Sequence, residues 1–191
     1  MSDLKLFMVL LGCTPPGRNT EQHDVFFGIG KELKDLVEDF HSFWPEAAGG
    51  LHIDAWKEIS KTNGYQVEIE SRKNIGQQGA RLFFINLGGY KPGDFEEYHY
   101  KLIVAAEDKG LAIQQAKRSA FYLHTGFKGA ESHVDDKFGV DVDDCYEIAD
   151  ILPASVKSKY SISLHPVSAG EEDHLHIGYV NLGRLLKETD T

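Results

Sequence analysis

The sequence predicts an α+β fold built from two copies of one β-β-α-β unit, with an antiparallel-rich sheet, helices packed on one face and a pseudo-two-fold relation between the copies. Three observations predict it. A stretch near the N-terminus returns 76 positions later. Apolar runs rich in β-branched and aromatic residues alternate with turn residues. Amphipathic stripes with helical spacing follow in corresponding places.

The repeat aligns Leu6 to His23 with Leu82 to His99 without a gap, and 8 of the 18 positions are identical. They are Leu6/Leu82, Phe7/Phe83, Leu11/Leu87, Gly12/Gly88, Pro16/Pro92, Gly17/Gly93, Glu21/Glu97 and His23/His99. Ordinary composition would give about one match by chance, so common descent of the two stretches is the natural reading.

The first element of each copy, LFMVLLG and LFFINLG, reads as a buried strand. Its first occurrence, ending in Leu-Leu-Gly-Cys13, also resembles a lipoprotein signal, but Asp3 is out of place in one and the same pattern recurs inside the chain. A Gly/Pro loop follows in each copy and reads as a plain turn, since no Lys-Ser/Thr helix start completes a phosphate loop. Next come strands HDVFFGIG and HYKLIVAAE, each running into a helix. Leu36, Val37, Phe40 and Trp44 form the stripe of the first helix, and Ala112, Ile113, Ala116 and Ala120 that of the second. Bulky residues in one and alanines in the other require different packing, and Phe43 with Trp44 could mark an interface.

Beyond the helices the second copy gains five residues, which places His52-Ile53-Asp54 on His133-Val134-Asp135. A further echo, 95 positions apart, sets YQVEIES and RLFFINLGG on YSISLHPV and IGYVNLGRL, sharing Tyr65/Tyr160, Asn86/Asn181, Leu87/Leu182 and Gly88/Gly183. Each alternating strand is expected to turn back into the "NLG" strand that follows it, as a duplicated hairpin. The expected units are residues 1–76 and 77–191, the second with a C-terminal hairpin, in one fused globular body.

Bulk properties narrow the function classes. Of the 191 residues 41% are hydrophobic, enough for a sizeable core, and the formal charge is −10. That surplus of carboxylates repels phosphate backbones and anionic membranes, so neither nucleic acid nor membrane is an expected partner. The two cysteines, Cys13 and Cys145, form no zinc or redox spacing and suit a reducing, cytoplasmic setting. No apolar run approaches the roughly 20 residues that span a bilayer.

The doubled pattern L-G-x-x-x-P-G-x-x-x-E-x-H, Leu11 to His23 and Leu87 to His99, followed by strand, helix and H-[IV]-D, resembles the bacterial family known as domain of unknown function 1543. That resemblance covers most of the chain and implies a bacterial, two-copy architecture. It implies no reaction, so the chemistry is read from the residues alone.

The candidate site residues are Glu21, His23, His52 and Asp54 with their copies Glu97, His99, His133 and Asp135. Residues two apart on an extended segment face the same side, so each carboxylate and imidazole can converge on one ion or act as an acid/base pair. Four such groups would hold a divalent metal such as zinc or manganese, while the same residues could instead fix loops through backbone hydrogen bonds. The acidic run Asp135, Asp136, Asp141, Asp143 and Asp144 lacks the calcium-loop order and reads as a solvated loop. His165, His174 and His176 are expected to bind metal only adventitiously. No catalytic nucleophile is visible. The leading expectation is a binding or interaction module for a small polar ligand, a metal or a protein partner, with a homodimer as one form. The alternative is a metal-dependent or acid/base hydrolase using the E-x-H and H-x-D groups.

Overall fold

The computed structural model describes residues 3–47, 49–72, 79–90, 93–124, 141–168 and 173–187. In chain order the strands are β1 (Lys5–Cys13), β2 (Gln22–Gly30), β3 (His52–Glu58), β4 (Lys61–Thr62), β5 (Tyr65–Ser71), β6 (Arg81–Tyr90), β7 (Glu97–Ala106), β8 (Asp141–Glu147), β9 (Tyr160–Pro166) and β10 (His176–Asn181). The α-helices are α1 (Val37–Phe43), α2 (Lys109–His124), α3 (Ile148–Ile151), α4 (Ala154–Lys157) and α5 (Leu182–Leu185). Every strand pairing is antiparallel. The α+β class with antiparallel sheets expected above is therefore the one found, and no described helix is long and apolar enough to cross a membrane.

The chain divides into two compact units, Met1–Lys73 with Leu152–Thr191, and Asn74–Ile151. The boundary differs from the expected 77–191 because strand pairing outweighs sequence order: β9 bonds to β5, and β10 bonds to β3. Both C-terminal strands thus belong to the first unit.

In the first unit a four-stranded sheet has the order β10-β3-β1-β2. Alternation sends Phe7, Val9, Leu11 and Cys13 to one face of β1, where they pack with Phe26, Leu36, Val37, Phe40 and Ile53. Phe26 meets Phe40 edge-on at 5.0 Å, which anchors α1 to the sheet. Burial of each such side chain contributes about 1.5–3 kcal/mol. Asp35 starts the helical segment by accepting hydrogen bonds from the Lys31 and Glu32 amides at 3.0 Å each. It ends at Trp44, whose extended φ of −129° suits the residue before Pro45. The N-terminal apolar run is a strand, β1, whose register with β2 sets Leu6 opposite Ile29 and Gly12 opposite His23.

A second sheet of this unit has the order β4-β5-β9. β4 and β5 are joined by Asn63-Gly64, both at positive φ (27° and 87°), the Asn-Gly signature of a tight hairpin turn. The expected hairpin between YQVEIE and the next "NLG" strand is not formed. Instead the two echoing segments, β5 and β9, pair with each other over their whole length, burying Val67, Ile69 and Ile162. The pairing is locally symmetric: Glu68 stands opposite Ser163, its own equivalent in the 95-residue echo. "NLG" also changes structure between its occurrences. In β6 it is strand, whereas Asn181 ends β10 and caps α5, its Oδ1 accepting the Arg184 amide at 3.1 Å.

The second unit has the sheet order β7-β6-β8 with α2 on the Phe83, Ile85 and Leu87 face. Ala112 and Ala116 are fully buried against that face, and Asp108 caps the helix by accepting the Leu111 amide at 2.8 Å. The strand order β3-β1-β2 of the first unit and β8-β6-β7 of the second are the same arrangement with the same pairing sense. Both carry an irregularity at the same repeat position. Leu10 pairs with Ala55 and Leu11 with Ile53, leaving Asp54 as the extra residue of a β-bulge. Asn86 pairs with Asp144 and Leu87 with Val142, leaving Asp143 in that role.

Candidate metal centre

Gly12 is the hub of the first cluster, because β1 is central and Gly12 pairs with His23 on one side and His52 on the other. Residues directly opposite in a sheet project from the same face, so both imidazoles rise beside the glycine, away from the face of Leu11 and Cys13 that packs on α1. Glu21 sits two residues before His23, just ahead of β2, and the bulge aims Asp54 at the same spot.

The four side chains form an alternating ring. His52 Nε2 lies 2.9 Å from Glu21 Oε1 and 3.4 Å from Asp54 Oδ1. His23 Nε2 lies 3.6 Å from Glu21 Oε2 and 3.2 Å from Asp54 Oδ2. The exposure of the side chains grades across the ring, from 8% for His52 and 26% for Asp54 to 42% for His23 and 44% for Glu21. A β-carbon on Gly12 would run into Asp54 Oδ2 and come within 2.7 Å of His52 Nε2, so only glycine leaves room for the ring.

Two details set the electrostatics. His52 Nδ1 is 3.0 Å from the Gly50 carbonyl, which can only accept, so Nδ1 is assigned a proton and Nε2 faces the two carboxylates. Asp54 Oδ2, meanwhile, is buried without a hydrogen bond, although His23 Nε2 is close by. The Tyr179 ring covers His52 at 4.7 Å. Cys13 is buried on the opposite, α1-facing side of β1, and burial first and the Glu21 carboxylate second push its thiol pKa up.

On the exposed side His23 also lines an open cleft of about 710 Å³ with Pro15, Pro16, Arg18 and Trp44. Among the described residues the Arg18 side chain forms no ion pair.

The second unit repeats part of this geometry. Gly88 pairs with His99, as Gly12 does with His23, and Glu97 precedes it by two. Asp143, on the bulge, takes the place of Asp54: its Oδ2 is 3.4 Å from His99 Nε2, and a β-carbon on Gly88 would run into that same oxygen. Opposite Gly88 on β8 stands Asp141, where His52 stands opposite Gly12.

Of the sequence candidates, Glu21, His23, His52 and Asp54 come together, as do Glu97 and His99. His133 and Asp135 lie outside the described residues, and the position of Asp54 is taken by Asp143, a member of the acidic run that reads from sequence as a solvated loop. The signal that could have found it is the spacing from the sheet: Asp143 lies two residues before Cys145, as Asp54 lies two before Trp56, and both partner the central strand.

Fold and cluster define the class as an antiparallel-sheet α+β protein with a glycine-centred His/carboxylate ring. Residues 18–69 match the model of a family described as Domain of Unknown Function (DUF1543), the family that the repeated motif resembles, and this span contains all four ring residues. The crystal structure of a protein Il1583 from Idiomarina loihiensis is similar over 94% of this chain and 97% of its own, with a TM-score of 0.63. At 23% identity that likeness speaks for the fold alone. No curated protein matches the chain.

Proposed function

We propose that the first unit is a binding module for a divalent transition-metal ion held by Glu21, His23, His52 and Asp54. The observation that carries this reading is the convergence of two imidazoles and two carboxylates over a glycine, with one buried carboxylate oxygen left without a hydrogen bond. Neighbouring donors around an ion with bonds of about 2.1 Å lie about 3.0–3.4 Å apart. The four imidazole–carboxylate contacts here, 2.9 to 3.6 Å, bracket that spacing, but each carboxylate meets the two imidazoles through different oxygens, so seating one ion would draw the four side chains inward. Two imidazoles favour zinc-class ions over magnesium or calcium, which prefer oxygen.

Four protein donors drawn onto one ion would close a tetrahedral site, which suits binding or scaffolding more than activation of water. Hydrolysis is the second reading, favoured by the cleft beside His23: release of Glu21, the most exposed ligand, would free a position facing it.

Elemental analysis of the untagged protein after zinc loading and desalting tests the proposal. The wild type retains a tightly bound equivalent that His52→Ala loses. Unchanged metal content in His52→Ala, with only a lower melting temperature, would assign the four residues a structural role and refute the reading. Turnover of ester or phosphoester substrates by the zinc-loaded wild type, absent in His52→Ala, would move the assignment to a hydrolase.

A further inference from the structure

In the second unit, His99 Nε2 lies 3.4 Å from Asp143 Oδ2 and 4.0 Å from Glu97 Oε2, and one donor atom from each of the three lies within 4.8 Å of the others. Three different local features place them: the start of β7, the register of β6 with β7, and the bulge of β8. The bare α-carbon of Gly88 makes the room, since a β-carbon there would come within 2.9 Å of Asp143 Cγ and closer still to Oδ2. All three side chains are open to water, 38% for His99, 40% for Glu97 and 31% for Asp143, so water can complete a coordination shell.

We propose that the second unit carries its own divalent-cation site, formed by Glu97, His99 and Asp143, with one imidazole and two carboxylates. The donor set differs from that of the first unit by the loss of one imidazole, because Asp141 takes the register position held there by His52. Fewer nitrogen donors and more water make the site weaker for zinc and less discriminating against manganese. With the centre proposed for the first unit, the chain would hold two ions of graded affinity, zinc filling the first unit before the second. This site stands on residues of the second unit alone and does not require the first to be a metal centre.

The test is a titration of full-length, untagged, metal-free protein with zinc by calorimetry and with manganese by electron paramagnetic resonance. Wild type is expected to show two zinc-binding events separated by about tenfold or more in affinity, the weaker removed by His99→Ala and by Asp143→Asn. The zinc-to-manganese affinity ratio is smaller for that weaker event. The near-isosteric Asp143→Asn guards against a folding artefact in His99→Ala. His165→Ala, which opens the separate exposed group Glu68, Glu70 and His165, is expected to leave both events unchanged. A weaker event that survives both His99→Ala and Asp143→Asn, or that disappears in His165→Ala, overturns the proposal. A single event lost in His99→Ala and kept in His52→Ala would uphold this site and refute the one in the first unit.

Discussion

The two glycine-centred clusters differ in a single register position, and the helices behind them differ in nearly everything. Around Gly12 and Gly88 the E-x-H segment, the bulge and its aspartate are the same, while His52 is exchanged for Asp141 opposite the glycine. On the other face, Phe40 reaches the sheet in the first unit where Ala116 does so in the second. The contrast teaches that the polar end of each sheet is held by backbone register, which tolerates little, whereas the apolar face needs only its volume filled, by large rings on a seven-residue helix or by a sixteen-residue helix lying close. The two frameworks share strand order and bulge position, while the packing behind them differs.

The sharpest way to break the packing half of the comparison is a matched pair. Phe40→Ala removes a fully buried ring that meets Phe26 edge-on, and is expected to cost about 3–5 kcal/mol in denaturant unfolding. Ala116→Leu overfills the closer contact of the second unit and is expected to cost about 1–3 kcal/mol. Equal small losses would show that the two helices are not packed as different solutions to one problem.

The register half is tested by filling each hub. Gly12→Ala sets a methyl group against Asp54 and His52 side-chain ends, which can swing aside, so the fold survives while zinc affinity of the first unit falls by about 10–100-fold. Gly88→Ala does the same to the second unit and leaves the first untouched. If either substitution affected both events equally, the clusters would not be independent sites.

A smaller difference concerns the two thiols. Burial raises the pKa of both Cys13 and Cys145, with Glu21 raising the first further and Lys109 partly lowering the second. Thiolate is the reactive form, so both alkylate more slowly at pH 8 than a free thiol does, and Cys145 reacts before Cys13. Mass spectrometry of the iodoacetamide adducts over time reads the order, and reversal of it would contradict the burial described here.

Much of this was legible in the sequence. The repeat put Glu21 with His23 and Glu97 with His99 at strand starts, and the structure sets the H-x-D pair of the first copy against Glu21 and His23, a convergence that residue spacing alone does not specify. What was missed was missed for physical reasons. His133 and Asp135 lie outside the described residues, while the place opposite Gly88 and the bulge beside it are held by Asp141 and Asp143, a D-x-D that carries no motif. The hairpins expected at "NLG" failed because the echoing strands β5 and β9 found each other, a long-range pairing that local patterning cannot report. Asn181-Leu182-Gly183 matches Asn86-Leu87-Gly88 letter for letter, and only tertiary context makes one a helix cap and the other a strand.

Zinc X-ray absorption on the His99→Ala protein, loaded with one equivalent, tests the central claim most directly. A shell of nitrogen and oxygen donors at about 2.0–2.1 Å, with the multiple scattering of two imidazoles and no sulfur, is the spectrum that Glu21, His23, His52 and Asp54 would give. A shell containing sulfur at about 2.3 Å, or one without imidazole scattering, would place the ion elsewhere and contradict the account.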